Sequence, residues 1–499
     1  MENASSTSSC VVEIEAKMME YSMVEAKVIP QHSLRSKERY MGLRAEDKAG
    51  PSSWVLEMEK MLEDTNPSVE TLHWKKACIY RVPKWLKDIT NNKAYMPKMV
   101  SLGPFHHGDP ELIPMEEHKR RATLHLVKRS GKPLREFIAA VEKVANDLDD
   151  AYSDLGEEWR GANRARFVEM MVMDGCFLLE IMRACERIIK TGSLMDYAPN
   201  DPVFSLHGIL SSVTIIRSDM LAMENQLPLL ALQRLLAVQK GASPCLLCGE
   251  QWVRFFKSLQ LHVDHEQGSR VINNMVSDFL DQPYVEGDYG LCLHPLDVLH
   301  RGICGRHADG KKQQECVHTM PCAVELGEAG IHFKLSKTEC IRDVDFQNGV
   351  LSMPLVSVSE ASENKLFNLM AFERLHNCAG RDVIDYVVFM DSMIDSGADV
   401  ALLRSKGLIK HLLGSDEAVA RMFNNMKKGA IMSPFSKLHD VQRQVNAHCK
   451  KPWNRWRANF VQTYLNNPWV FISLLAAAIL VVATLMQTIY TAIPFHRKN

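Results

Sequence analysis

A chain of 499 residues, 46% hydrophobic and 24% charged, is long enough for a full core and ordinary for a globular protein. Its formal net charge of -1 excludes the whole-protein basic face of a nucleic-acid binder, and runs such as His118-Lys119-Arg120-Arg121 read as solvated helix faces. Glu13, Glu15 and Lys17 interrupt the one N-terminal apolar stretch, so no secretory leader is read and the 13 cysteines are expected to stay reduced.

Residues 1–10 are Ser/Thr-rich and read as disordered. Trp54, Leu56 or Met58, Met61 and Leu62 then define a short amphipathic helix, ended by Thr65-Asn66-Pro67-Ser68. Segment 78–114 is dense in Pro and Gly, yet Ile79, Val82, Trp85, Leu86, Tyr95, Val100, Leu102 and Phe105 are interleaved. It reads as an ordered loop region. Met115–Val127 is expected to be helical, with Glu117 and Arg121 at ion-pair spacing, and Pro133–Leu155 to form another helix.

Phe167–Arg183 is apolar on most sides, which predicts a central buried helix. Glu169, Glu180 and Arg183 share one narrow arc, whereas Asp174 falls on the apolar surface and therefore needs an ionic or hydrogen-bonding partner. Asp219–Glu224 reads as the end of a helix that stops before Pro228. Pro228 opens the next, Leu229–Val238, and leaves Glu224, Asn225 and Gln226 to cap the junction. Residues 240–322 are rich in Gly, Cys and His and show little periodicity. Residues 323–358 read as strands, with Asn348-Gly349 turning a hairpin between Val344–Phe346 and Val350–Met353. Ser362–Met426 returns to helices. Gly407 suits a helix end, and Ser415 an N-cap for Asp416–Met426.

From Trp469 to Ile493 there is no Asp, Glu, Lys or Arg, about 25 residues or ~37 Å of helix. This predicts a C-terminal transmembrane helix, with Trp469 and Tyr490 at the two interfaces. Lys450, Lys451, Arg455 and Arg457 upstream outweigh Arg497 and Lys498 downstream, which favours a cytoplasmic body. The location expected is a single-pass membrane protein, at the plasma membrane rather than an endomembrane.

Motifs along the chain resemble the plant domain-of-unknown-function 247 family. They include Arg81 and Pro83 in IYRVP, Gly103, His106, His107 and Gly108 in VSLGPFHHG, and Glu116, His118 and Lys119 in MEEHK. They continue with Asp174 and Gly175 in MVMDGCF, Glu224, Asn225 and Gln226 in LAMENQLP, His294 in HPLDVLH, and Asn348 and Gly349 in NGVL. The match runs over about 78–490. It leaves out the N-terminal 70 residues, 239–290 and the Cys-rich stretch 301–322. The resemblance implies a plant membrane protein without established enzymatic activity. Some members sit at the grass self-incompatibility locus and are thought to act in pollen–stigma recognition. Descriptions of the family place the large domain outside the cytoplasm, against the charge argument.

The expected fold is mainly α with a small antiparallel β region (α+β), plus the transmembrane helix. The domains expected are a variable segment 1–72, a globular domain 73–465 with a variable insertion at about 239–322, an anchor 466–493 and a tail 494–499. Two clusters are candidate sites. His106 or His107 with Asp109 and His118 offers three metal ligands, although such rings more often tie down loop backbone. Cys245, Cys248, Cys304 and His307 offer a zinc set without a second Cys-x-x-Cys. No Walker loop, dinucleotide fingerprint, His-Glu-x-x-His or nucleophile elbow occurs, so no cofactor and no catalytic residue are assigned. The function expected is recognition or scaffolding through a protein partner, with the bilayer holding residues 469–493. The alternative is a membrane-bound hydrolase-like or metal-binding enzyme using the His106/His107/Asp109 loop.

Overall fold

A computed structural model describes residues 53–64, 76–192, 196–240, 265–282, 290–305, 320–453 and 468–496. The chain divides into two compact units, Met1–Glu70 and Thr71–Asn499. In the first, helix α1 (Ser53–Asp64) occupies the expected amphipathic stretch.

The second unit is built around its longest buried helix. In chain order, α2 (Lys84–Ile89) and a 3-10 turn (Asn92–Tyr95) interrupt the loop segment. Helices α3 (Ile113–Ser130), α4 (Leu134–Glu142), α5 (Ala145–Asp150), α6 (Arg164–Thr191), α7 (Leu206–Asp219) and α8 (Leu229–Lys240) follow. Helix α6 is apolar almost all round and packs against α3, α4, α8 and α9 (His265–Phe279). Gly175 sits where α6 meets α8: a Cβ there would collide with Leu235 Cδ1.

Expectations for the helical half needed three corrections. Pro133–Leu155 is two helices, α4 and α5, broken at Lys143-Val144. The apolar spacing Phe137, Val141, Val144, Leu148 runs through the break unchanged, so periodicity could not reveal it. Helix α7 ends at Asp219, not Glu224. The carbonyls of Asp219, Met220 and Ala222 are satisfied by the side-chain amides of Asn225 and Gln226 instead of a further helical turn. Arg121 pairs with Asp201 and touches His118 Nδ1 at 2.9 Å; it does not take up the expected pairing with Glu117.

Beyond α8 come α10 (Pro295–Cys304), α11 (Ala323–Glu328), β1 (His332–Leu335), β2 (Asp345–Gln347), β3 (Val350–Met353) and β4 (Val356–Val358). Then follow α12 (Ser362–Leu375), α13 (Asp382–Met393), α14 (Gly397–Ser405), β5 (Ile409–His411), α15 (Asp416–Met426), α16 (Lys437–Cys449) and α17 (Pro468–His496). The expected hairpin is present. Strands β2 and β3 are antiparallel, and Asn348 and Gly349 turn with φ of 52° and 80°, as a two-residue hairpin requires. The β region as a whole is not antiparallel, however. Strand β1 joins β3 in parallel, and β4 pairs β5 in parallel across α12 to α14. Alternation identifies a strand but not the direction of its partner. Ser415 caps α15 as expected, its Oγ accepting from Ala418 N at 3.2 Å.

The transmembrane expectation is also corrected: among the described residues no helix is long and apolar enough to cross a membrane. Trp469 and Tyr490 both fall within α17. The single-pass anchor and the membrane location are therefore withdrawn.

Candidate functional site: a buried polar frame

Outside α2 and the 3-10 turn, segment 78–109 carries a run of backbone N–H and C=O groups that no helix or sheet pairs. Burying it requires partners from elsewhere. They come from α3, α6 and the junction between α7 and α8. Asp219 accepts from Lys98, Met99 and Val100 N–H at 2.8, 2.8 and 2.9 Å. Asn225 Oδ1 accepts from Leu102 N at 2.7 Å, and its Nδ2 donates to Val100 O and Asp219 O, each at 3.0 Å. Asp174 Oδ2 accepts from Gly103 N at 2.8 Å, and Oδ1 lies 2.8 Å from Lys119 Nζ. Lys119 also donates to Glu116 Oε1 at 2.6 Å and Ser101 Oγ at 3.0 Å.

Gly103 is the pivot of this segment. Its φ of +72° suits glycine, and a Cβ would meet Gln226 O and Tyr152 OH, both at 2.7 Å. Tyr152 OH in turn donates to Gln226 O at 3.0 Å, while Gln226 Oε1 accepts from Leu296 N at the start of α10 at 3.1 Å. Glu224 Oε1 accepts from Val82 N at 2.7 Å, and Oε2 from Lys87 Nζ at 2.9 Å. Burial opposes the Glu224 charge, but the nearby His106 ring, the Lys87 bond and the Lys87 charge hold its carboxyl below the usual range. Burial pushes Asp219 up against its three backbone donors, and pushes Asp174 up against the Lys119 charge.

The histidine set weighed as a metal site is divided among other partners. His106 Nδ1 pairs with Asp109 at 2.9 Å, and its Nε2 lies 3.6 Å from Glu224. His107 packs edge-on against Trp159, and His118 meets Arg121. Arg81 lies over the Phe105 ring at 4.4 Å. Pro83 starts α2, its carbonyl accepting from Leu86 and Lys87 N–H, and Gly108 turns the chain with φ of +90°. Of the cysteine set, Cys304 ends α10, whereas Cys245, Cys248 and His307 lie outside the described residues.

A second polar centre was not foreseen. His294 caps α10, its Nδ1 accepting from Asp297 N at 3.2 Å, while Nε2 bonds Cys78 O at 3.1 Å. Six residues on, His300 Nε2 bonds Glu373 Oε1 at 2.7 Å. Glu373 also accepts from Val383 and Ile384 N–H, both at 2.9 Å, at the start of α13. His294 preceding Pro295 was a legible cap signal; Glu373 and Asp219 left none.

Fold and frame together define a mainly helical domain in which Asp174, Glu224, Asn225 and Gln226 bond the chain's own backbone. The chain belongs to the DUF247 family, described as plant proteins of unknown function, whose sequence profile matches residues 79–483. The UPF0481 protein At3g47200 of Arabidopsis thaliana is 29% identical over 437 residues, covering 84% of this chain and 87% of the relative. The putative UPF0481 protein At3g02645 of the same plant is 22% identical over 518 residues, covering 87% and 93%. No solved structure matches.

Proposed function

We propose that this chain is a non-enzymatic recognition or scaffold protein that engages a protein partner through segment 78–114. The observation behind this reading is the polar frame itself: Asp174, Asp219, Glu224 and Asn225 fix the buried stretches of segment 78–114, which hold its exposed positions in place. Flanking that fixed backbone, Trp85 on α2, Met96, and Ile113 at the start of α3 are exposed at 39%, 43% and 54%. Large side chains on rigid loops lose little entropy on binding and commonly dominate interfaces. Proximity labelling in plant cells tests the proposal by comparing the wild type with a Trp85→Ala/Met96→Ala/Ile113→Ser variant. A set of neighbours lost in the variant at unchanged abundance and melting temperature supports it; an unchanged set overturns it.

A further inference from the structure

We infer that His300, Cys304 and Glu373 form a binding site for one divalent cation of the zinc class. A thiol, an imidazole nitrogen and a carboxylate oxygen converge there, all within 4.8 Å of one another and all buried. His300 and Cys304 stand four residues apart on one face of α10, and Glu373 approaches from α12. The Val383 and Ile384 amides hold its carboxylate in place.

The spacing fits the ion. Zn–S of about 2.3 Å and Zn–N of about 2.0 Å at a tetrahedral angle place sulfur and nitrogen about 3.6 Å apart. Cys304 Sγ lies 3.6 Å from His300 Nε2. The 2.7 Å contact from His300 to Glu373 must open by roughly 0.7 Å to reach a tetrahedral N–O separation. On binding, the thiol proton leaves to solvent and the imidazole proton sits on Nδ1. The cation then replaces both hydrogens facing the centre. A thiolate, a carboxylate and a doubly charged cation sum to zero, so the filled site buries no net charge. The Arg342–Asp382 pair, whose Arg342 Nη1 donates to Gly305 O at 3.2 Å, adds none. Mixed sulfur, nitrogen and oxygen donors select zinc-like ions over magnesium or calcium. Three protein donors leave a fourth position for water. The inference is independent of the recognition surface on segment 78–114.

The test is metal titration of the purified full-length chain, with zinc content by elemental analysis and cobalt(II) as a spectroscopic probe. About one zinc per chain is expected in the wild type and in Cys245→Ser/Cys248→Ser. At least tenfold weaker binding is expected in Cys304→Ala and in Glu373→Gln, where Gln keeps an oxygen for one of the two α13 amides. No binding by the wild type, or equal binding by both site variants, overturns the inference. Should neither variant fold, the cobalt spectrum of the wild type decides. A four-coordinate spectrum with one thiolate supports the site, and an octahedral or multi-thiolate spectrum overturns it.

Discussion

Lys119 Nζ lies 2.8 Å from Asp174 Oδ1, and both side chains are sealed from solvent, at 0% and 1% exposure. The pair couples α3 to α6 and fixes Gly103 N through the other carboxylate oxygen. A buried pair of this kind contributes little against an apolar replacement, but breaking one half strands the other charge. Lys119→Met should therefore cost about 3–5 kcal/mol in chemical denaturation. Lys119→Met/Asp174→Leu should recover a large part of that loss, since Leu removes the stranded carboxylate. A single change costing under about 1 kcal/mol would show that water reaches the pair.

Gly103 makes a separate demand. Alanine there meets two obstacles: a φ of +72°, and contacts of 2.7 Å with Gln226 O and Tyr152 OH. The conformational part alone is worth about 1–3 kcal/mol. Gly103→Ala should lower the melting temperature by several degrees, and adding Tyr152→Phe should not restore it, because the Gln226 carbonyl remains. Full rescue by Tyr152→Phe would place the whole cost on the hydroxyl.

How much of this frame could be read beforehand depends on sequence separation. Segment 78–114 was legible as ordered because apolar residues alternate with Pro and Gly. The need of Asp174 for a partner followed from its place on an apolar helix face, and Lys119 and Gly103 meet it. The identity of those partners was hidden, since Gly103 and Asp174 are 71 residues apart and Leu102 and Asn225 are 123 apart. Local pattern carries no information over such distances. Glu180 is the sharper case. Its arc with Glu169 and Arg183 offered no sign of burial, yet it is fully buried between Arg129 and Arg183, with Asp196 completing the cluster. Burial opposes its charge, but the two guanidinium groups win and lower its carboxyl. The parallel pairing of β4 with β5 is likewise a tertiary outcome, made by helices folding between two short strands.

Asp385 on α13 gives a pH signature. Burial raises its carboxyl to about 7, against Ser433 N–H, which donates to Oδ1 at 2.8 Å, and a bond from Ser436. In the unfolded chain the group titrates near 3.9. The folded state thus binds more protons between these values, and stability falls as pH rises from about 4 to about 7. The full cost above pH 7 is of the order of 4 kcal/mol. Asp385→Asn keeps an acceptor for Ser433 and removes the ionisation. It should match the wild type near pH 4 and exceed it in denaturation midpoint at pH 8. Parallel stability curves would show that Asp385 is ionised without cost.

His294 should act in the opposite direction. Burial lowers its imidazole to about 4, and both nitrogens are committed, Nδ1 to Asp297 N and Nε2 to Cys78 O. That geometry needs the neutral ring with its proton on Nε2. The unfolded ring titrates near 6.5, so between about 6.5 and 4 the unfolded state binds the extra proton. The contribution to stability is fully present above pH 6.5 and is lost as pH falls to about 4, a total of about 3 kcal/mol. His294→Asn retains a side-chain oxygen to cap α10 but cannot take up a proton. Its melting temperature should be lower than that of the wild type at pH 7.5, and should fall less steeply between pH 6.5 and 4.5. In an Asp385→Asn background, where the opposing carboxylate is silent, the difference in slope should approach one proton. Equal slopes in that background would mean that the imidazole becomes charged inside the fold, with a different tautomer and a different cap for α10.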